Sequence, residues 1–160
     1  MRNKTGFTLM ELIIVITILA IVASLGVPSF ISWRNNAKLR DGASLLRVDL
    51  ERTKLRAVKE NNFVALLFNA GGYTAFVDDG AGDPLKAGDW IKDGSEQLVC
   101  NRQLPAGVTI DLADPDMFAN DRIRFNARGR VSNDGAVTLV NIAGDEKEIS
   151  INRFGMITVD

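Results

Sequence analysis

The chain has 160 residues with 19 basic and 20 acidic side chains, a formal net charge of −1 that offers no global basic field for nucleic acid. It contains no histidine, which excludes histidine-based catalytic triads, proton shuttles and zinc–histidine sites. Its one cysteine, Cys100, cannot form an intramolecular disulfide and is expected to be a small buried apolar residue, so enzymatic chemistry is poorly supported.

An uncharged apolar segment follows a short polar leader. Between residues 7 and 27 the only ionisable side chain is Glu11, and a run of that length matches the roughly 20 helical residues that cross bilayer hydrocarbon. A secretory signal places its cleavage site after the apolar region, whereas here the small-residue junction Gly6-Phe7 precedes it. We therefore predict a leader over residues 1–6 and a transmembrane helix over residues 7–27 that cleavage at Gly6 leaves on the mature chain.

Residues 6–11, Gly-Phe-Thr-Leu-Met-Glu, resemble the leader of type IV prepilins and type II secretion prepseudopilins. The resemblance implies that a prepilin peptidase cuts after Gly6 and N-methylates Phe7, and that Glu11 is the assembly residue. It implies a single-pass protein of the bacterial inner membrane with its C-terminal domain in the periplasm. Other pilin or pseudopilin subunits and an inner-membrane assembly platform are the implied partners. An ordinary membrane anchor with the same residues by chance is the alternative.

The role of Glu11 also has a physical basis. Cleavage creates a free amine at Phe7, four residues earlier and therefore about one helical turn away. A lone carboxylate in hydrocarbon needs a positive partner, which is either its own amine or that of a neighbouring subunit. Pairing between subunits recruits a new protomer in register, so Glu11 is predicted to act in assembly and not in catalysis.

The helix is predicted to continue as an amphipathic segment over residues 28–60. Pro28 lies at the outer edge of the apolar run, where a lost hydrogen bond and a clash with the preceding turn predict a kink. The face opposite the apolar stripe, which includes Lys54, is expected to be solvated, and Asn61-Asn62 is a plausible helix stop. The stripe must pack against the chain's own domain to be buried. Its members are spaced three and four residues apart: Leu39, Ala43, Leu46, Leu50, Thr53 and Ala57.

Residues 61–160 are predicted to form a β-rich domain, because short apolar and β-branched runs alternate there with turn signals such as Asn69-Ala70-Gly71-Gly72. The predicted fold is α+β. A long N-terminal α-helix, transmembrane in its first half and amphipathic in its second, packs on an antiparallel β-sheet domain of short strands. The predicted strands cover residues 63–68, 73–77, 97–101, 108–112, 122–125, 136–141, 148–151 and 156–159.

The C-terminal strand and turn pattern resembles the GspH/FimT (FimU) group of minor pseudopilins and minor pilins. Major pilins more often close with a disulfide loop near the C-terminus, which a single cysteine forbids, so the resemblance favours a minor subunit. The residues that carry it are Ile123-Arg124-Phe125, Gly129-Arg130, Gly135-Ala136-Val137-Thr138-Leu139, Ile149-Ser150-Ile151 and Gly155-Met156-Ile157.

A glycine-rich loop contains Asp78, Asp79 and Asp83, whose carboxylates are candidate calcium ligands. The spacing of an EF-hand loop, with its closing glutamate, is missing. Acidic glycine-rich turns are common on protein surfaces for reasons of turn chemistry alone. The favoured prediction is therefore that the chain holds no metal and no cofactor.

Some FimT-like minor pilins bind DNA during uptake, so the resemblance raises the same possibility for this chain. Arg128 and Arg130 are the candidate contacts, in a region that also contains Arg122, Arg124 and Arg153. Interleaved acids dilute this patch, and the uncharged tail that ends in Asp160 departs from the basic tail of DNA-binding members. Salt-bridged or solvated arginines are the favoured interpretation.

The sequence supports three classes of function to different degrees. The first is a minor subunit, processed by the peptidase and assembled at or near the tip of a type II secretion pseudopilus or a type IV pilus. The second is a DNA-binding minor pilin for natural transformation. A membrane-anchored enzyme comes last, because the chain has no histidine and no nucleophile motif.

Overall fold

The computed structural model describes residues 7–81, 84–92 and 95–160. Its packing divides the chain into one unit that ends at Arg34 and a second unit, Asn35–Asp160. The predicted leader with Gly6, and the calcium candidate Asp83, lie outside the described residues. The predicted segment boundaries after residues 6 and 27 stay predictions.

Helix α1 spans Leu9–Glu60. In the first unit the described side chains between residues 7 and 24 are all exposed, and the best 18-residue window has a mean hydropathy of 2.6. By length and composition this helix can cross a membrane. The helix does not end at Pro28, and a kink there stays a prediction.

In the second unit α1 buries the predicted stripe, whose six members are each at most 3% exposed. Lys54 differs from the prediction of a solvated face, because it is half-buried and its Nζ donates to the carbonyl oxygen of Gly155 at 2.7 Å. The helix ends as predicted. Asn61 takes a left-handed conformation with φ of 53°, and the Asn62 amide donates to the carbonyl oxygen of Ala57 at 3.2 Å.

Eight strands follow among the residues that the structure describes, and each lies within two residues of its predicted bounds. They form two four-stranded antiparallel sheets, with orders β3-β2-β1-β5 and β4-β6-β7-β8. The predicted α+β fold is confirmed. The strands are β1 Val64–Asn69, β2 Gly72–Val77, β3 Leu98–Gln103, β4 Val108–Ile110, β5 Arg122–Phe125, β6 Gly135–Asn141, β7 Glu146–Ile151 and β8 Ile157–Val159.

One hydrophobic core joins the helix to both sheets. Leu46 and Leu50 of α1 are fully buried in it with Tyr73 of β2, Phe125 of β5 and Leu139 of β6. Burial alternates along β4 and β5, whereas β1, β2 and β6 are buried along most of their length.

Three turns share one Asn-x-x-Gly construction. In each, the side-chain oxygen of the asparagine accepts from the backbone amides two and four residues later, at distances between 2.8 and 3.1 Å. The glycine has φ between 69° and 83°, a conformation that side chains disfavour. The turns are Asn126 to Arg130, Asn141 to Asp145 and Asn152 to Met156.

Candidate functional site

Glu11 lies in the first turn of α1, where it forms a capping box with Thr8. The Thr8 amide and hydroxyl both donate to Glu11 Oε2, at 3.0 and 2.9 Å, and the Glu11 amide donates to Thr8 Oγ1 at 3.2 Å. This reciprocal arrangement satisfies amides that a helix start otherwise leaves unpaired. The Thr-x-x-Glu spacing is the sequence signal for it, and sequence reasoning missed it.

The second carboxylate oxygen of Glu11, Oε1, is available to accept a further hydrogen bond. Both bonds from Thr8 end on Oε2, and within the described part of the chain no donor reaches Oε1. The Phe7 side chain beside it is 77% exposed. The carboxylate can therefore accept a cationic donor at Oε1 without giving up its cap.

A buried carboxylate, Asp49, connects the helix to the first sheet. Its side chain is 1% exposed, and its Oδ2 accepts from the hydroxyl of Tyr73 and from Nε of Arg102, both at 3.0 Å. Burial, followed by the negative charge of Asp49, raises the pKa of Tyr73 far above its usual value. The hydrogen bond to Asp49 raises the pKa of Arg102. No local pattern in the sequence indicates this cluster.

Polar contacts also connect the helix to the second sheet. Lys38 Nζ donates to the carbonyl oxygen of Ala106 at 2.8 Å, next to the start of β4. Asn141 Nδ2 donates to Oδ1 of Asn36 at 3.1 Å from the turn between β6 and β7. With the bond from Lys54 to the turn before β8, these contacts fix residues 36–54 of the helix along the sheet. The unit Asn35–Asp160 can therefore present its surface as one rigid body.

Asp78 is a structural residue of the loop between β2 and β3. It is fully buried, and its oxygens accept from the amides of Gly88 at 2.9 Å and Trp90 at 3.4 Å and pair with Nη1 of Arg124 at 3.5 Å. Asp79 accepts from the Ala81 amide at 3.0 Å, which is ordinary turn chemistry.

The prediction that this loop holds no calcium stays a prediction. The guanidinium of Arg124 already pairs with the Asp78 carboxylate. The residues that the structure describes contain no group of three or more acidic, histidine or cysteine side chains that could hold a metal. The third candidate, Asp83, is not among them.

The five arginines divide into two groups. Arg122 and Arg124, alternate residues of β5, both stack on Trp90, at 4.7 and 4.5 Å from its ring centroid. Arg128 and Arg130 are exposed on the first Asn-x-x-Gly turn, where Arg130 lies 5.7 Å from the Phe154 ring.

The fifth arginine, Arg153, lies beside that turn, and the Val131 amide donates to its carbonyl oxygen at 3.3 Å. Its guanidinium pairs with Asp134 at 3.5 Å. Arg128, Arg130 and Arg153 are all exposed, and of these three only Arg153 pairs with an acid of the described residues.

Cys100 of β3 is half-buried, close to Asp49. Burial, followed by the negative charge of Asp49, raises the pKa of its thiol, so it is a poor nucleophile at neutral pH. The sequence predicted a small buried apolar residue, whereas this side chain is only half-buried.

Two family models match the chain. The model described as type II transport protein GspH matches residues 42–155, and the model of the prokaryotic N-terminal methylation motif matches residues 1–27. The pilin-like protein PilA1 of Thermus thermophilus is 35% identical over 82 residues, which are 49% of this chain and 51% of that protein. The chain therefore spans about half the length of this relative.

Two solved structures share the fold. The type IV minor pilin FimU of Pseudomonas aeruginosa superposes with a TM-score of 0.55 over 80% of this chain and 92% of that one, at 12% identity. The minor pseudopilin EpsH from the type 2 secretion system of Vibrio cholerae superposes with a TM-score of 0.54 over 77% of this chain and 96% of that one, also at 12% identity.

Proposed function

The chain belongs to the GspH family and carries the prokaryotic N-terminal methylation motif, and on this premise we propose that it assembles as a minor subunit into a type II secretion pseudopilus or a type IV pilus. Its binding partners are other subunits of the filament and the inner-membrane assembly platform. Its role is structural and non-catalytic, at or near the filament tip. The unit Asn35–Asp160 lies in the periplasm until assembly.

Processing by a prepilin peptidase is the first step of this proposal. Cleavage after Gly6 leaves Phe7 as the first residue, and methylation of its amine keeps the positive charge. The new amine then lies on Phe7, two residues before α1 begins at Leu9 and four residues before Glu11. The motif match over residues 1–27 supports this step, because it contains both the junction and the acid.

The open oxygen of Glu11 is the observation that carries the assembly role. Oε2 is held by Thr8, whereas no described donor reaches Oε1. In hydrocarbon a carboxylate with one unsatisfied oxygen is costly, and the amine of a neighbouring Phe7 satisfies it. The capping box fixes the side chain before the neighbour arrives, so less side-chain entropy is lost when the pair forms.

Incorporation of the chain into filaments tests the proposal. An epitope-tagged chain is expressed in a bacterium that makes the cognate machine, and sheared filaments are separated from membranes. We expect the tag in the filament fraction, on a chain whose mass begins at methylated Phe7. Gly6→Leu should block cutting and incorporation while the chain remains in the membrane. A filament-bound chain that retains Met1 would contradict the proposed processing.

DNA binding is a second candidate function, and one observation favours it. Arg128 and Arg130 are exposed next to Phe154, which is 72% exposed, and basic side chains beside an aromatic ring suit nucleic acid. The pairing of Arg124 with the buried Asp78 opposes it, and Arg153 also has an acid, Asp134, beside it. We rank it second.

A further inference from the structure

A groove opens beside strand β5, within the unit Asn35–Asp160. Its volume is about 360 Å³, within the range of sites that bind small molecules and peptide segments. Three buried apolar residues, Phe118, Ile123 and Val131, contribute to its lining. Trp90 and Arg122 line it as well. The groove therefore combines apolar surface with a cation, which is the composition of a binding site.

Backbone strain is concentrated at this groove. Trp90 has φ of 71° and Asn120 has φ of 58°, and both residues line it. The adjoining Asp121 has φ of 55°. A bulky side chain such as tryptophan rarely takes this conformation, which persists only where surrounding contacts hold it. The Trp90 amide is held by Asp78 and its ring by two arginines, so the wall of the groove is preformed.

The groove has one cation without an acidic partner. Arg124 pairs with Asp78, and Asp134, which also lines the groove, pairs with Arg153. Arg122 stacks on Trp90 and forms no ion pair with any residue that the structure describes. Stacking on Trp90 fixes the plane of the Arg122 guanidinium while leaving its N–H groups free. These N–H groups form a planar fork that can donate to both oxygens of a carboxylate.

Strand β5 also offers an unpaired edge. It is the last strand in the order β3-β2-β1-β5, so only its β1 side is occupied by a strand. On the other side the bridge from Phe125 to Val131 covers its C-terminal end. The edge at Arg122 and Ile123 is left without a strand partner among the described residues. An extended peptide adds to such an edge through its main chain.

We propose that this groove binds an extended peptide segment of a partner protein, which adds to β5 as a further strand and places a carboxylate on Arg122. An apolar side chain next to the acid points to the opposite face of the added strand, the face of Ile123, where it packs against Phe118, Ile123 and Val131. The site goes beyond the proposed function, because it does not require the chain to be in a filament. Charge complementarity selects the acidic segment, because Arg122 is the one charged lining residue that forms no ion pair within the described part of the chain.

Tryptophan fluorescence of the full chain in detergent tests the proposal. Trp33 and Trp90 are its two tryptophans, so Trp33→Phe leaves Trp90 as the reporter at the groove. The ligand is a hexapeptide of alternating valine and threonine with one central glutamate, and the matched peptide carries glutamine instead. We expect saturable binding of the glutamate peptide, about tenfold tighter than the glutamine peptide, because a charged hydrogen-bonded pair is lost in the second.

Substitutions of Arg122 and Arg128 test whether the peptide binds in the groove. Arg122→Gln should abolish the difference between the two peptides, and Arg122→Lys should keep part of it by retaining the charge. Arg128→Gln, an exposed arginine that does not line the groove, should bind like the parent. Thermal unfolding of each variant shows whether it is folded. Equal affinity for both peptides, an unchanged preference in Arg122→Gln, or no saturable signal up to about 1 mM peptide would overturn the proposal.

Discussion

Thr8 and Glu11 close the first turn of helix α1 by bonding to each other in both directions. The Thr8 amide and hydroxyl donate to one oxygen of Glu11, and the Glu11 amide donates back to the Thr8 hydroxyl. The residue that we propose to act in assembly is therefore also a helix cap. The two roles differ chemically, because a cap needs an acceptor oxygen and pairing with an amine needs a negative charge.

Substitution of Glu11 by glutamine separates the two roles. Glutamine keeps an acceptor for the Thr8 amide but loses the charge, so Glu11→Gln should stay in the membrane and be lost from sheared filaments. Glu11→Ala should behave likewise, with an additional loss of about 1 kcal/mol of helix stability. Thr8→Ser keeps the hydroxyl and should assemble normally. Normal assembly of Glu11→Gln would show that Glu11 contributes only its cap.

The chain has a single tyrosine, so an alkaline titration reports on Tyr73 alone. Burial and Asp49 raise the pKa of its hydroxyl above the ordinary value of 10.0. The unfolded chain therefore loses this proton first, and the stability that Tyr73 contributes is full below pH of about 10 and falls as the pH rises further. We expect phenolate absorbance to appear only as the protein unfolds. A folded chain that titrates near pH 10 would contradict this.

Asp49 should contribute more to the free energy of unfolding than other acids of the same helix. Asp49→Asn leaves Arg102 without its buried counterion and weakens the acceptor for Tyr73, so we expect a loss of about 2 kcal/mol in the free energy of unfolding. Arg102 is partly exposed, which moderates the effect. The control is Asp41→Asn, on an exposed position of the same helix. Denaturant unfolding measures both variants, and equal effects would refute the assignment.

Periodic features of the fold could be predicted from the sequence, because burial repeats with the geometry of each element. The helix stripe from Leu39 to Ala57 follows the helical period, and the strands follow their turn signals. Contacts between distant residues could not be predicted. Asp49 bonds Arg102 across 53 positions, and Lys54 bonds Gly155 across 101, and no local pattern fixes such pairs. The same limit applies to the order of strands in two sheets.

Two local signals were present in the sequence and were missed. The Thr-x-x-Glu spacing at Thr8 indicates a capping box. The Asn-x-x-Gly repeat that begins at Asn126, Asn141 and Asn152 indicates three turns of one kind. Each glycine considered alone is only a generic turn signal. Their common construction becomes visible when the asparagine is counted with the glycine.

Two of these turns offer a matched comparison of glycine substitutions. A Cβ on Gly144 meets nothing within 4 Å, whereas a Cβ on Gly155 lies 2.0 Å from the carbonyl oxygen of Gly129. Both have positive φ, of 83° and 73°. Gly144→Ala should therefore cost about 1 kcal/mol of unfolding free energy for the backbone conformation alone. Gly155→Ala should cost roughly 3 kcal/mol or more, because the backbone must also move. Similar losses in both would contradict the contact at Gly129.

The unit Asn35–Asp160, which we expect to fold alone as a monomer, should bind duplex DNA no better than about 10⁻⁴ M at physiological salt, the weak end of non-specific binding. Arg124 and Arg153 are paired with acids, which leaves Arg128 and Arg130 as the exposed arginines of the turn region that form no ion pair with a described residue. Gel shifts at low micromolar protein, repeated over a range of salt, measure this. A salt-dependent shift that is lost in Arg128→Ala or Arg130→Ala would reverse the ranking and favour DNA uptake, because no acid among the described residues pairs with those two side chains and competes with phosphate.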